Sequence, residues 1–106
     1  MAKQAPKHLK PATKKWWISV TKQFSLDAQY LRILTLAAEA WDRGEQARDY
    51  LNENGLTYTD RFGQPKSRPE VSIERDSRLG FARMIRELCL DDGPDDTRPP
   101  RSRGRN

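Results

Sequence analysis

The chain has 106 residues and a formal net charge of +5; 35% of its residues are hydrophobic and 33% are charged. This length allows one domain with a thin core, and a single cysteine (Cys89) with a single histidine (His8) excludes a four-ligand zinc site and a disulfide framework. No apolar run reaches the roughly 20 residues that cross a bilayer, and no apolar stretch follows the basic N-terminus as in a signal peptide, so we expect a cytoplasmic protein without a membrane partner.

Residues 1–11 are predicted to form a disordered basic arm, because Pro6 and Pro11 block a helix. Residues 1–26 contain six lysines and no acidic residue, and the remaining residues sum to −1, so the whole basic excess lies at the N-terminus. A localised excess of this kind is typical of phosphate binding, although a solvated tail is the simpler alternative. The predicted DNA contacts in this region are Lys3, Lys7, Lys10, Lys14, Lys15 and Lys22.

A first helix is predicted over about residues 12–24, where Trp16, Val20 and Phe24 recur at helical spacing and Trp17 widens the apolar stripe. Aromatic residues beside lysines can stack on unpaired bases. We favour another interpretation, in which one tryptophan anchors the first helix to the second and the other lies at a core edge or a subunit interface. Trp16 lies on the stripe, so Trp17 is the predicted interface residue.

A long second helix is predicted over about residues 27–54, and Gly55 is a natural residue to end it. Its N-terminal half is apolar around most of its circumference, and a helix with two apolar faces in so small a domain needs two partners. One partner is the rest of the chain, and the other is a neighbouring subunit, which also adds stability to a thin core. The predicted interface residues on this helix are Leu31, Ile33, Leu36 and Ala40.

Residues 56–69 are predicted to form a short β-hairpin or an extended loop. Leu56 to Thr59 alternates as in a strand, Gly63 lies in a turn, and two prolines prevent a long return strand. The segment is modestly basic, and its cations join the predicted DNA contacts: Arg61, Lys66 and Arg68.

A third helix is predicted over about residues 69–90, since Pro69 is favourable at a first helical position. The fold class is therefore mainly α, with residues 12–90 as a helical oligomerisation domain. Residues 91–106 are rich in aspartate, proline and arginine, and they are predicted to form a disordered tail of mixed charge.

No arrangement of residues points to catalysis, a metal or a cofactor. The sequence lacks a phosphate-binding glycine loop, His8 lies in the predicted arm without an orienting partner, and Cys89 lies on an apolar face as an inert thiol. Carboxylates such as Glu39 and Asp42 have helical spacing beside arginines, which is typical of ion pairs on a solvated face. A metal-binding carboxylate cluster is the alternative, but the chain is predicted not to be an enzyme.

Several segments keep a characteristic order and spacing along the chain: His8-Leu9, Lys14-Lys15-Trp16-Trp17, Phe24 to Asp27, Ala37 to Arg43, Gly55 to Gln64, Lys66, Pro69, Glu74 to Asp76, and Arg86 to Asp91. Together they resemble the phage terminase small subunit family, in the branch without an obvious helix-turn-helix signature. The resemblance covers about residues 8–91 and is sharpest between Gly55 and Gln64.

This resemblance implies a non-catalytic subunit that assembles into a ring, engages double-stranded viral DNA and partners the terminase large subunit in the host cytoplasm. The large subunit carries the ATPase and the nuclease, which agrees with the lack of both motifs in this sequence. The tail of residues 91–106 is a candidate docking segment for the large subunit. No DNA-reading motif is inherited from the family, so the predicted DNA contacts depend on charge.

Two alternatives remain open at the level of sequence. A transcription regulator that reads an operator as a dimer needs a recognition helix after a tight turn; the junction at residues 24–27 is short enough, but the second helix is apolar where a recognition helix is polar. A phage structural adaptor without a DNA role is the other alternative, and it would be favoured if charge reversal at the six N-terminal lysines left DNA binding and packaging unchanged.

Overall fold

The computed structural model describes residues 4–88, so Lys3, Cys89 and the predicted tail of residues 91–106 lie outside the described part of the chain. The mainly α architecture is confirmed, and the connection between the second and third helices is a hairpin. The helices begin and end within about one residue of their predicted limits, except that residues 89 and 90 are not described. The elements are α1 (Pro11–Gln23), α2 (Ala28–Asn54), β1 (Thr57–Thr59), β2 (Pro65–Ser67) and α3 (Pro69–Leu88).

The residues before α1 correct the prediction of a disordered arm. Leu9 is buried in the main core cluster, and His8 Nε2 lies 2.7 Å from the Oε2 atom of Glu39 on α2. Residues 6–9 are not helical and form a turn in which the Leu9 backbone N–H donates to the Pro6 carbonyl at 3.4 Å, whereas Pro11 begins α1. This turn places the Leu9 side chain in the core. Residues 8–10 therefore lie against α2, with Ala5 packed on the core cluster, so disorder does not extend over the whole predicted arm.

The start of α1 is stabilised by a carboxylate from another helix. Lys10 at the N-cap has an extended backbone and no side-chain cap of its own. Asp42 on α2 accepts hydrogen bonds from the Lys10 backbone N–H at 2.9 Å and from Thr13 Oγ1 at 2.5 Å. A negative charge at this position satisfies exposed N–H groups and interacts favourably with the helix dipole.

The main core lies between α1 and the first half of α2. Trp17 is only 4% exposed and its Nε1 donates to Thr35 Oγ1 at 3.3 Å, while the fully buried Leu34 lies at the centre of the cluster. Since Lys10 contacts Asp42 and Trp17 contacts Thr35, α1 runs antiparallel to α2. The buried members of the cluster are Leu9, Trp17, Val20, Leu34, Ala38 and Leu88.

The second packing layer is formed by α2 and α3, which are antiparallel and share the most extensive contact in the fold. They approach closely at Gly44, where an added Cβ would lie 3.3 Å from the Cβ of Ser77. A Cβ at position 44 would require a shift of a few tenths of an ångström at Ser77, and a bulky side chain would overpack the contact between the two helices.

An ion pair also joins these two helices. Glu74 Oε2 on α3 accepts from Arg48 Nη2 on α2 at 3.0 Å and from Arg78 Nε at 3.4 Å. The hydrogen bond from Arg48, with a smaller effect from Arg78, holds the pKa of Glu74 below its usual value of 4.5, against the opposing effect of partial burial.

We expect Glu74→Gln to weaken the fold near neutral pH and to make it less sensitive to acid. A carboxylate with a lowered folded pKa contributes stability above its unfolded pKa, and that stability is lost as the pH falls through the folded pKa. Urea unfolding at about pH 7 and about pH 3 measures the difference. Glu87→Gln is the control, since Glu87 is an exposed carboxylate on the same helix. Equal pH dependence in both variants would contradict the expectation.

Candidate functional site

Two of the three lysines of α1 lie on the side of the helix that faces away from the core. Lys15 and Lys22 are both exposed, and a separation of seven residues places them on one helix face about 10 Å apart. Trp17 is buried on the opposite face. Lys14 is half-buried and lies three residues from Trp17, and Lys7 is exposed but precedes α1. The basic outer face of α1 therefore consists of Lys15 and Lys22.

Lys10 has a position different from the other N-terminal lysines. Its side chain is exposed, but its Nζ lies 3.9 Å from Glu45 Oε1, a long and weak surface ion pair. Its backbone N–H binds Asp42. Lys10 therefore contributes to the attachment of α1 as well as to the basic surface.

The hairpin carries a second basic group at the other end of α2. Asp60 Oδ1 accepts from the backbone N–H groups of Phe62 and Gln64, each at 2.9 Å, and Gly63 takes a positive φ of 78°. These bonds order the tip, which we define as residues 60–64. The tip presents the exposed Arg61 with its guanidinium carbon 5.0 Å from the centre of the Phe62 ring.

Arg68 anchors the hairpin to α2. Its Nε donates to the Gly55 carbonyl at 2.9 Å and its Nη2 to the Asn54 carbonyl at 3.0 Å, so it satisfies carbonyl groups at the helix end. Its guanidinium also lies 5.8 and 5.9 Å from the ring centres of Tyr58 and Tyr50. Among the basic residues predicted on the hairpin, Arg61 and Lys66 are the exposed ones.

Lys22 and the hairpin lie toward opposite ends of α2. The Lys22 end of α1 lies near the start of α2, whereas the hairpin follows its C-terminal end. The 27 residues of α2 span about 40 Å.

The predicted interface residues have different surroundings. Leu36 is 54% exposed, and with the half-buried Ala40 it lines a groove of about 450 Å³ that Ile73 and Met84 of α3 complete. The predicted interface residues packed partly against the core are Leu31 and Ile33.

The surroundings of Trp17 differ from the prediction that Trp16 faces α2 and Trp17 lies at a subunit interface. It is buried in the core of its own chain and is not exposed to a neighbouring subunit. The stripe that faces α2 passes through Trp17, Val20 and Phe24, which is as regular a helical spacing as the predicted stripe through Trp16. Trp16 is half-buried and faces a different set of side chains.

An aromatic pocket, which no sequence pattern indicated, joins all three helices. The ring centre of Phe81 on α3 lies 5.8 Å from that of Trp16 and 5.0 Å from that of Trp41 on α2, with tilted rings. Trp41 remains 44% exposed. With the carboxylate of Glu45 at one side, these rings line an open cavity of about 210 Å³, which suits an apolar or aromatic group that is accompanied by a cation.

Residues 4–88 contain neither a cluster of metal-ligating side chains nor a membrane-spanning helix. These residues hold no group of three or more histidine, cysteine, aspartate or glutamate side chains arranged for a metal ion. None of the helices described is both long and apolar enough to cross a membrane. The surfaces that remain are the basic face of α1, the hairpin tip, the aromatic pocket and the groove between α2 and α3.

A comparison with known protein families returned a match over most of the chain. The family model described as "Phage terminase, small subunit" matches residues 13–93, which include most of α1 and all of α2, the hairpin and α3. No curated protein and no solved structure matches the chain. Because the matched segment covers well over half of the sequence, the chain belongs to the phage terminase small subunit family.

Proposed function

We propose that this terminase small subunit is a non-catalytic, homo-oligomeric DNA-binding protein that engages double-stranded viral DNA and recruits or regulates the large subunit during packaging in the host cytoplasm. The observation that carries the proposal is the basic outer face of α1. Lys15 and Lys22 extend from a helix whose opposite face is fixed in the core by Trp17. Charge is thus displayed on a rigid element.

Lysine ammonium groups on such a face suit the phosphate backbone. They neutralise phosphates and release condensed counterions, so the binding constant falls steeply as the salt concentration rises. A lysine reads charge and not base edges, so the contacts position the protein without selecting a sequence. The exposed Lys66 of the hairpin, which lies outside the tip, adds a second contact of the same character.

Assembly of several subunits makes these weak contacts effective. The groove beside Leu36 exposes apolar surface from Leu36, Ile73 and Met84, which is the surface we assign to contact with a neighbouring subunit. A closed ring satisfies every such interface and repeats the basic face of α1 around its circumference. Contacts that are weak in one subunit then add together in the assembly.

Membership of the family supports a partnership with the large subunit. ATP hydrolysis and DNA cleavage belong to the large subunit in this proposal, and the small subunit supplies DNA engagement and regulation. Residues 91–106, which lie outside the described part of the chain, remain the proposed docking segment.

We expect the double variant Lys15→Gln, Lys22→Gln to bind a labelled duplex more weakly than the wild type and with a shallower salt dependence. Each lost phosphate contact lowers the slope of log K against log salt by about 0.9, so the slope falls by nearly 2 in magnitude. Fluorescence anisotropy over about 50 to 200 mM salt measures both quantities.

The matched control is Arg32→Gln, Arg83→Gln, which removes the same charge from exposed positions on α2 and α3. Its slope should stay close to that of the wild type. The proposed α1 interface is refuted if both pairs have equal effects, or if the wild-type affinity hardly changes with salt. Native mass spectrometry of the wild type tests the assembly, and a chain that is monomeric at all concentrations is not a ring subunit.

A further inference from the structure

The hairpin tip exposes an unusual pair of side chains. Phe62 is 73% exposed, although burial of an aromatic ring is strongly favourable. The tip that carries it is ordered by the hydrogen bonds to Asp60. Within residues 4–88, the guanidinium of Arg61 stacks over Phe62 and forms no ion pair. An ordered loop thus presents one aromatic ring and one unpaired cation together.

The aromatic pocket has the complementary character. Three aromatic rings line a cavity of about 210 Å³, with Glu45 at its side. Glu45 has only a long contact of 3.9 Å with Lys10, and both side chains are partly exposed, so its carboxylate can accept a second cation. The pocket therefore offers aromatic walls to a ring and a negative charge to an arginine.

The tip and the pocket do not meet within one chain. Trp41 lies 14 residues before Gly55, the point where the chain leaves α2 for the hairpin, and this length of helix spans about 20 Å. The exposure of Phe62 confirms that its ring is not covered by its own chain. A second copy can bring the two surfaces together.

We propose that Phe62 of one subunit inserts between Trp16, Trp41 and Phe81 of the next subunit, with Arg61 of the first beside Glu45 of the second. The inference rests on the homo-oligomer of the proposed function and specifies one contact that holds it. Each subunit uses its tip on one side and its pocket on the other, so the contact is heterologous. Such a contact produces a ring when the rotation between neighbours closes.

The test measures self-association of the full chain by sedimentation velocity across a concentration series. Phe62→Ala should weaken self-association about tenfold or more, because an aromatic anchor loses its pocket. Leu56→Ala is the matched control: Leu56 is 63% exposed and lies in the same connection, but outside the tip. Its association should equal that of the wild type. Circular dichroism verifies that each variant is folded.

Mixing two variants tests the direction of the contact. Phe62→Ala keeps an intact pocket and Trp41→Ala keeps an intact tip, so neither associates well alone. A mixture should form one-to-one pairs through the one remaining intact contact. The charge pair is tested in the same way: Arg61→Glu and Glu45→Arg each weaken association, and the double variant restores it.

Each outcome supports or overturns the contact. It is overturned if Phe62→Ala assembles like the wild type, or if the mixture shows no more association than its components. A loss of DNA affinity in Phe62→Ala without any loss of assembly also overturns it and assigns the tip to DNA. A wild-type chain that assembles and binds DNA while these variants have no effect refutes this contact alone, whereas a monomeric wild type refutes the assembly as well.

Discussion

Replacing Leu34 by alanine is expected to lower the free energy of unfolding by about 2–5 kcal/mol. Leu34 is completely inaccessible to solvent and lies in the cluster that joins α1 to α2. The substitution removes buried methyl groups and leaves a cavity that the surrounding helices fill only in part. Because a small domain is stable by only about 5–15 kcal/mol, this loss is a large fraction of the total. Urea unfolding at low protein concentration measures it.

Leu36→Ala is the matched control for this substitution. It makes the same chemical change two positions along α2, at a side chain that is 54% exposed. We expect a change within about 0.5 kcal/mol in the unfolding of the monomer. Comparable losses at positions 34 and 36 would mean that the core does not lie on the face of α2 described here.

The second large effect is expected at Gly44. A Cβ at this position would lie 3.3 Å from the Cβ of Ser77, and a leucine would place further atoms in the contact between α2 and α3. We expect Gly44→Leu to destabilise the fold by about 3 kcal/mol, near the upper end of the usual range for overpacking. The midpoint of urea unfolding should fall accordingly.

Gly80→Ala is expected to stabilise the fold, in contrast to Gly44→Leu, although both glycines lie in helices. A Cβ there meets only Met84 Cε at 3.9 Å, an ordinary contact distance. The higher helix propensity of alanine should therefore stabilise the fold by about 1 kcal/mol. If Gly44→Leu were tolerated as well as Gly80→Ala, the close approach of α2 and α3 at Ser77 would be disproved.

The elements of secondary structure were predictable because their signals are local. Pro69 begins α3 and Gly55 ends α2, as their backbone preferences require. The sequence does not determine which face of α1 packs against α2, because Trp16 and Trp17 both fit a helical stripe with Val20. Which tryptophan is buried depends on the shape of the surface of α2, and the helical spacing of residues within α1 gives no information about that surface.

The attachments between distant residues were not predictable from local patterns. Pro6 correctly indicates a non-helical segment, but the partners that hold this segment, Glu39 and Asp42, lie about thirty residues away along the chain. Arg68 is likewise a basic residue in a basic stretch, and only the folded chain places its guanidinium on the carbonyls of α2.

The candidate surfaces also differ in how far the sequence predicts them. The basic face of α1 follows from composition and helical spacing, and the structure adds which lysines face outward. The aromatic pocket requires one residue from each of three helices, so each of its aromatic residues appeared in the sequence as part of an ordinary apolar face. The pocket can therefore be identified only from the tertiary packing of the three helices.

The use of Asp42 to cap α1 has a consequence for the order of folding. α1 has 13 residues, no acidic residue in its first turn and no side-chain cap of its own, and an isolated helix of about that length is marginal in water. Its stabilising carboxylate is available only where α2 has formed. We therefore expect α1 to become stably helical only where α2 is already formed, so that the order of the lysine-bearing surface depends on α2.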